Sequence, residues 1–291
     1  MKAMALNFDS SIRESLLAEL PVTERRLRLN GVETAVLEGG EGRPVILLHG
    51  PGGYGAQWVH VIPALAQCSR VVAPDLPGHG ASGYHSGSTT PDQVNSWLED
   101  LIDCTCDAPP VLVGHTLGGA IAARFAVDNG DRLHSLVLVD SMGLVPFQPA
   151  PEFGAALVAF LTTPNEQTQD ALWTQCVHDY AEVQRRHGER WQLLREYNLA
   201  GVRRSDGIPA ITAWMEHIGS PAIPEEMLAH IRIPVSLVWG REDRATPLAA
   251  ADMAAARFGW PLHVIDAAAD DPTLEQPEEF MRVLRTLIPV C

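Results

Sequence analysis

Pro110-Val111-Leu112-Val113-Gly114-His115-Thr116-Leu117-Gly118-Gly119-Ala120-Ile121-Ala122 is the stretch on which the reading of the fold turns. An apolar run of strand type stops at Gly114, and a run of small residues with helix character begins at Gly118. The arrangement predicts a strand, a sharp turn with Thr116 at its apex, and a helix. Glycines two residues to either side of the apex fit such a turn, because a Cβ at either place would strike the neighbouring strand or helix. The turn lifts one hydroxyl above the sheet edge and aims the first N–H groups of the helix at whatever reacts there. The spacing is that of G-x-S-x-G, with threonine in the place of serine.

Outward from this stretch, strands and helices alternate. Arg25 to Leu29 and Val32 to Leu37 flank Asn30-Gly31, a two-residue hairpin signal. Buried strands follow at Pro44 to Leu48, Arg70 to Pro74, Leu136 to Asp140, Ile233 to Gly240 and Leu262 to Asp266, with helical spacing at 57–66, 91–104, 247–258 and 277–287. Strands that read as nearly continuous apolar runs indicate an α/β fold with a mostly parallel sheet flanked by helices on both faces. Ligands of such sheets gather outside the carboxyl ends of the strands. The loops His49-Gly50-Pro51-Gly52-Gly53 and Asp75 to Gly83 should therefore open on the same side as Thr116.

Between Gly143 and Pro224 the strand signals vanish, and helices are expected at 153–161, 166–181, 182–199 and 207–218. We read residues 1–142 and 225–291 as two parts of one α/β core, and 143–224 as an inserted helical cap. Phe153, Leu157, Phe160, Trp173, Tyr180, Trp191, Trp214 and Met215 mark its apolar faces. Most should pack the cap on itself, and a minority should border a ligand cavity.

The chain has 291 residues, 46% of them hydrophobic and 20% charged, with a formal net charge of −15. That charge argues against nucleic acid and anionic membrane surfaces as partners. Lys2 is the sole lysine, a compositional bias without functional meaning. Neither a signal peptide nor a membrane span of ~18 apolar residues is expected. Five scattered cysteines (Cys68, Cys104, Cys106, Cys176 and Cys291) read as free thiols of a cytoplasmic protein, and Cys104-Thr105-Cys106 lacks the second ligand pair of a metal site.

Five local patterns, HGPGG at 49–53, DLPGHGAS at 75–82, GHTLGG at 114–119, WGREDRATP at 239–247 and LEQPEEF at 274–280, occur in an order that resembles the α/β-hydrolase fold superfamily. Its cap-bearing members, the carbon-carbon bond hydrolases, esterases and haloperoxidase-like enzymes, are the nearest in kind, and the resemblance covers the chain after Glu24. It implies Thr116 as nucleophile and Asp243 as acid. Backbone N–H groups of Leu117 and of the loop after His49-Gly50 would form the oxyanion hole, with Gly52 the better donor because Pro51 has no N–H. The position the superfamily fills with its histidine, ahead of P-x-L-E-x-P, is held here by Asp270.

Two of three triad positions thus depart from the pattern. Threonine keeps the hydroxyl, but its methyl crowds the turn. A carboxylate of pKa about 4 is a much weaker base than an imidazole of about 6.5, and losing the base of a serine protease costs about a millionfold in kcat. This argues against ordinary ester hydrolysis. If Asp243 and Asp270 are neighbours, one should hold its proton near neutrality, giving an acid and a base above an oxyanion site. Such a site suits lyase, isomerase or cyclase chemistry on a small, fairly apolar carbonyl compound, without metal or organic cofactor. The alternatives are a hydrolase using Thr116 with a base relocated to His178, His187 or His217, and a non-catalytic binding protein. His49, at the start of the oxyanion loop, and His115, beside the strand and not itself catalytic, are expected with Gly50, Pro51, Gly52 and Leu117 among the oxyanion and substrate-binding residues, and His263 inside the last strand. The oligomeric state, including a homo-oligomer, is left open.

Overall fold

The computed structural model describes residues 11–85 and 89–288. Among these residues eight strands form one sheet: β1 (Thr23–Leu29), β2 (Val32–Gly39), β3 (Pro44–Leu48), β4 (Arg70–Pro74), β5 (Val111–His115), β6 (Ser135–Val139), β7 (Val235–Gly240) and β8 (Leu262–Ile265). Their order is β1-β2-β4-β3-β5-β6-β7-β8. β1–β2 and β2–β4 pair antiparallel, and the other pairs are parallel. Asn30 and Gly31 turn the hairpin with φ of 44° and 81°, the left-handed region that Asn-Gly accommodates.

The continuous apolar runs have a plain cause, since both faces of the sheet are covered. Ile46 and Leu48 of β3, Leu112 of β5 and Leu136 and Leu138 of β6 pack into one cluster, with Trp97, Phe125 and Trp239. Val45, Leu47, Val111, Val113, Val137 and Val139 alternate into the other, with Trp58 and Phe280. Each strand therefore spends its period of two on two cores.

Helical signals hold with adjustments that local chemistry explains. The stretch 57–66 is not one helix but a tight turn at Gly55–Trp58 and a single helical turn at Ile62–Leu65, because Pro63 has no N–H and can only start a helix. Between β6 and β7 run helices Pro151–Thr162, Glu166–Cys176, Tyr180–His187, Glu189–Arg203 and Gly207–Trp214. The long helix expected over 166–181 stops at Cys176, where Asp179 caps the next by accepting from Glu182 N. The one expected over 182–199 is broken at Gly188, whose φ is 52°. Cys104, Cys106 and Cys176 are free thiols, whereas Cys68 is disulfide-bonded, against the expectation of free thiols throughout.

The turn between β5 and helix Leu117–Asn129 depends on its glycines. A Cβ at Gly118 would lie 2.3 Å from the carbonyl oxygen of Leu48, and one at Gly114 2.3 Å from that of Gly118. Backbone cannot yield as a side-chain tip does. Gly118→Ala is expected to cost about 3 kcal/mol or more by forcing β3 and the helix apart. Urea unfolding of the variant checks this, and a wild-type midpoint would show that the helix has room to shift.

Candidate active site

The carboxyl ends of β3, β5, β6, β7 and β8 bring the loop after His49, Thr116, Asp140, Asp243 and Asp270 to one edge of the sheet. Thr116 sits at φ 46°, ψ −107°. A β-branched residue there is strained, by about 1–3 kcal/mol. The surroundings enforce it: Thr116 N donates to Val139 O at 2.9 Å, and its carbonyl accepts from Gly119 N, Ala120 N and Met142 N at 3.0–3.2 Å. Among the described residues the buried Oγ1 has no hydrogen-bond partner. It is aimed over Gly50, where a Cβ would approach it to 2.3 Å.

A cavity opens above this hydroxyl, with an empty volume of about 760 Å³, part of it open to solvent. Its floor is Gly50, Pro51, Gly52, His115, Thr116 and Asp270. Phe153, Leu157, Phe160, Trp173 and Ile211 from the helical insertion line the rest, with Gln57 and Asn198 as polar points. Trp191 and Trp214 pack elsewhere, Trp214 donating to Pro77 O at 2.8 Å. Leu117 is the first residue of its helix, so its N–H has no acceptor within the helix.

His49 does not border the cavity. Leu76 N donates to its Nε2 at 2.9 Å, so the ring proton is on Nδ1, which donates to Gly50 O at 2.8 Å. Burial lowers its pKa to about 3, and the neutral ring serves to hold the Gly50 loop. His115, expected among the residues that bind substrate, is half-buried and faces the cavity. The insertion's histidines are engaged elsewhere: His187 with His60 and Leu274 O, His217 with Thr89, and His178 3.9 Å from Glu242. None of the three borders the Thr116 cavity.

Three carboxyl groups share the edge. Asp243 is buried, which raises its pKa to about 6, while hydrogen bonds from Thr246 and Ala245 hold its charged form. Ala245 N, Thr246 N and Thr246 Oγ1 reach its oxygens at 2.7, 3.0 and 2.6 Å, so its loop occupies it, and it does not line the cavity. Asp270 does line it. Burial, then the charges of Asp243, Asp271 and Glu275, push its pKa well above the ordinary value, which favours its protonated form. Asp140, which sequence reasoning passed over, sits at φ 43° behind them, with Oδ1 accepting from Gly240 N at 2.8 Å and Oδ2 unpartnered among the described residues. Burial and then Asp243 raise its pKa as well. Its only signal in the sequence was an apolar strand ending in an acid. Among the described residues no cluster of His, Cys, Asp and Glu is arranged to hold a metal ion. No helix among them is long and apolar enough to cross a membrane.

The sequence profile of the alpha/beta hydrolase family matches residues 45–283. The 2-hydroxy-6-oxo-6-(2'-aminophenyl)hexa-2,4-dienoic acid hydrolase of Metapseudomonas resinovorans is 28% identical over 283 residues, covering 90% of each chain. The pimeloyl-[acyl-carrier protein] methyl ester esterase of Aeromonas salmonicida is 27% identical, covering 86% of this chain and 96% of its own. Among solved structures, the meta-cleavage product hydrolase of Pseudomonas fluorescens IP01 superposes with a TM-score of 0.75 at 24% identity, over 89% of this chain and 95% of that one. Naproxen esterase of Bacillus subtilis gives 0.78 at 20%, over 96% and 97%. At these identities the structural likeness is one of fold.

Proposed function

Because this chain belongs to the alpha/beta hydrolase family, we propose that it is an enzyme of that fold whose site has exchanged acyl transfer for acid-base chemistry on a small, neutral carbonyl compound. The observation that supports this is the pairing of Thr116 Oγ1, which has no base bonded to it, with Asp270, which lines the same cavity and whose pKa is raised above the ordinary value, first by burial. A hydroxyl is a competent nucleophile only with a base in hydrogen-bond reach. Asp243 is committed to its own loop and cannot serve.

In this reading the substrate carbonyl points at the N–H groups of Leu117 and Gly52, which stabilise charge developing on its oxygen. Asp270 delivers the proton, in keeping with lyase, isomerase or cyclase chemistry. The substrate class follows from charge. The relative from Metapseudomonas is named for an acid substrate. Among the described residues neither Lys nor Arg lines the cavity here, while Asp270 and Asp271 do. A carboxylate would enter without a cation to pair with, at a cost that a neutral ketone avoids.

Two measurements on one preparation test the proposal. Neutral ketones such as acetophenone and cyclohexanone, incubated in D2O, should exchange the protons beside their carbonyl above the buffer rate, as followed by NMR. A fluorophosphonate should leave the intact mass unchanged. An adduct on Thr116 without ketone exchange would return the protein to hydrolysis by a Thr116 nucleophile, the activity class of its named relatives.

A further inference from the structure

We propose that His115 is the catalytic base of this site, taking up a proton from the carbon next to the substrate carbonyl through Nδ1; this rests on the acid-base reading above. His115 ends β5, immediately before Thr116. Its Nε2 lies 2.5 Å from the backbone carbonyl oxygen of Asp270. A carbonyl oxygen only accepts, so the ring proton resides on Nε2 and Nδ1 carries the lone pair. That contact is itself held in place, since Asp270 N donates to Cys176 O at 3.0 Å. Trp58 packs edge-on against the imidazole, with ring centroids 6.1 Å apart.

The lone pair faces a notch. A Cβ at Gly50 would lie 3.4 Å from His115 Nδ1 and 2.3 Å from Thr116 Oγ1. The side chain that glycine omits thus leaves room for the Thr116 hydroxyl close to His115 Nδ1. Among the described residues no hydrogen bond occupies Nδ1. The ionisable groups around the ring are Asp270 through its carbonyl, Asp243 through its charge and the neutral His49.

The step balances within the site. The C–H bond beside the carbonyl breaks, its proton going to Nδ1 and its electron pair forming the C=C bond of an enol. The carbonyl oxygen takes the proton of the Asp270 carboxyl. The site then holds an imidazolium and a carboxylate in place of the neutral imidazole and carboxyl. Once the Nδ1 proton has exchanged with solvent, return of a deuteron to the same carbon gives exchange, and delivery to another carbon gives isomerisation.

His115→Gln keeps an amide N–H able to reach Asp270 O and removes the base. Its ketone exchange in D2O should fall about 100-fold or more. Added imidazole should restore exchange to His115→Ala. In wild-type protein, where folding is not in question, 15N NMR should show His115 as the Nε2–H tautomer, with Nδ1 gaining a proton when acetylacetone binds and gives up its C–H proton to become the enolate. Wild-type exchange by His115→Gln alongside loss in Asp270→Asn would overturn the assignment of His115 and leave the acid-base reading standing. An Nδ1–H tautomer in the free protein would also overturn it. Absence of exchange by the wild-type protein would remove both.

Discussion

Asp270→Asn should slow ketone proton exchange by about 10² to 10⁴, the range a positioned general acid contributes, and should at the same time make the protein more stable at neutral pH. The two effects have one source. Asp270 lies among Asp243, Asp271 and Glu275 in a buried pocket, and these raise its pKa well above the ordinary value. A carboxyl kept protonated there can donate to a substrate oxygen, but the native chain must take up a proton that the unfolded chain has already released. The asparagine amide has the shape of the protonated acid and no such requirement. A strained acid outside the cavity would gain stability on substitution without losing exchange, so the loss of activity together with the gain in stability identifies a functional acid. The pH profile carries the same sign: exchange should fall as pH rises through the raised pKa of Asp270, because the donor form disappears. NMR exchange rates and melting curves on Asp270→Asn decide it. A variant as active as wild type would show that the proton comes from elsewhere.

Strand placement was legible in the sequence because both faces of this sheet are covered, so β3, β5 and β6 read as unbroken apolar runs between turn residues. The turn at Thr116 was equally plain, since Gly114 and Gly118 are needed where backbones meet. Helix ends were less so: Pro63, Asp179 and Gly188 each cut a run that periodicity alone would have continued. The position of Asp270 on the cavity wall could be reached from its place after the last strand. What spacing could not carry was orientation. The carboxyl of Asp243 turns to Ala245 and Thr246 rather than to the cavity, and His115 turns towards it. Both outcomes hang on backbone groups, the N–H groups of one loop and the carbonyl of Asp270, which no residue pattern displays.

Asp140→Asn isolates the electrostatic part of this design from the chemistry, because Asp140 does not line the cavity. Its φ of 43° suits asparagine as well as aspartate. The amide oxygen of the new side chain can keep the bond from Gly240 N, and its NH2 group replaces the unpartnered Oδ2. Burial and the neighbouring Asp243 raise the folded-state pKa of Asp140 well above the ordinary value. For an acid shifted in this direction the native state binds more protons than the unfolded chain. Its contribution to stability is therefore whole below the unfolded pKa of about 4 and is lost as pH rises towards the folded value. Asp243, raised to about 6, and Glu275, raised to about 8, act with the same sign across that window. The variant and the wild type should thus melt together near pH 4. Above it the variant should gain about 1.4 kcal/mol for each pH unit, or about 3 °C in Tm, until the folded pKa of Asp140 is reached. Because the protonated Asp140 carries no charge, the exchange leaves the ionisation of Asp243 beside it unchanged below the folded pKa of Asp140, and only above that pH should the decline in Tm be shallower in the variant. Calorimetry from pH 4 to 9 measures both. A variant that melts below wild type at pH 8 would mean that Asp140 is ionised in the folded protein at that pH, against the raised pKa argued for it.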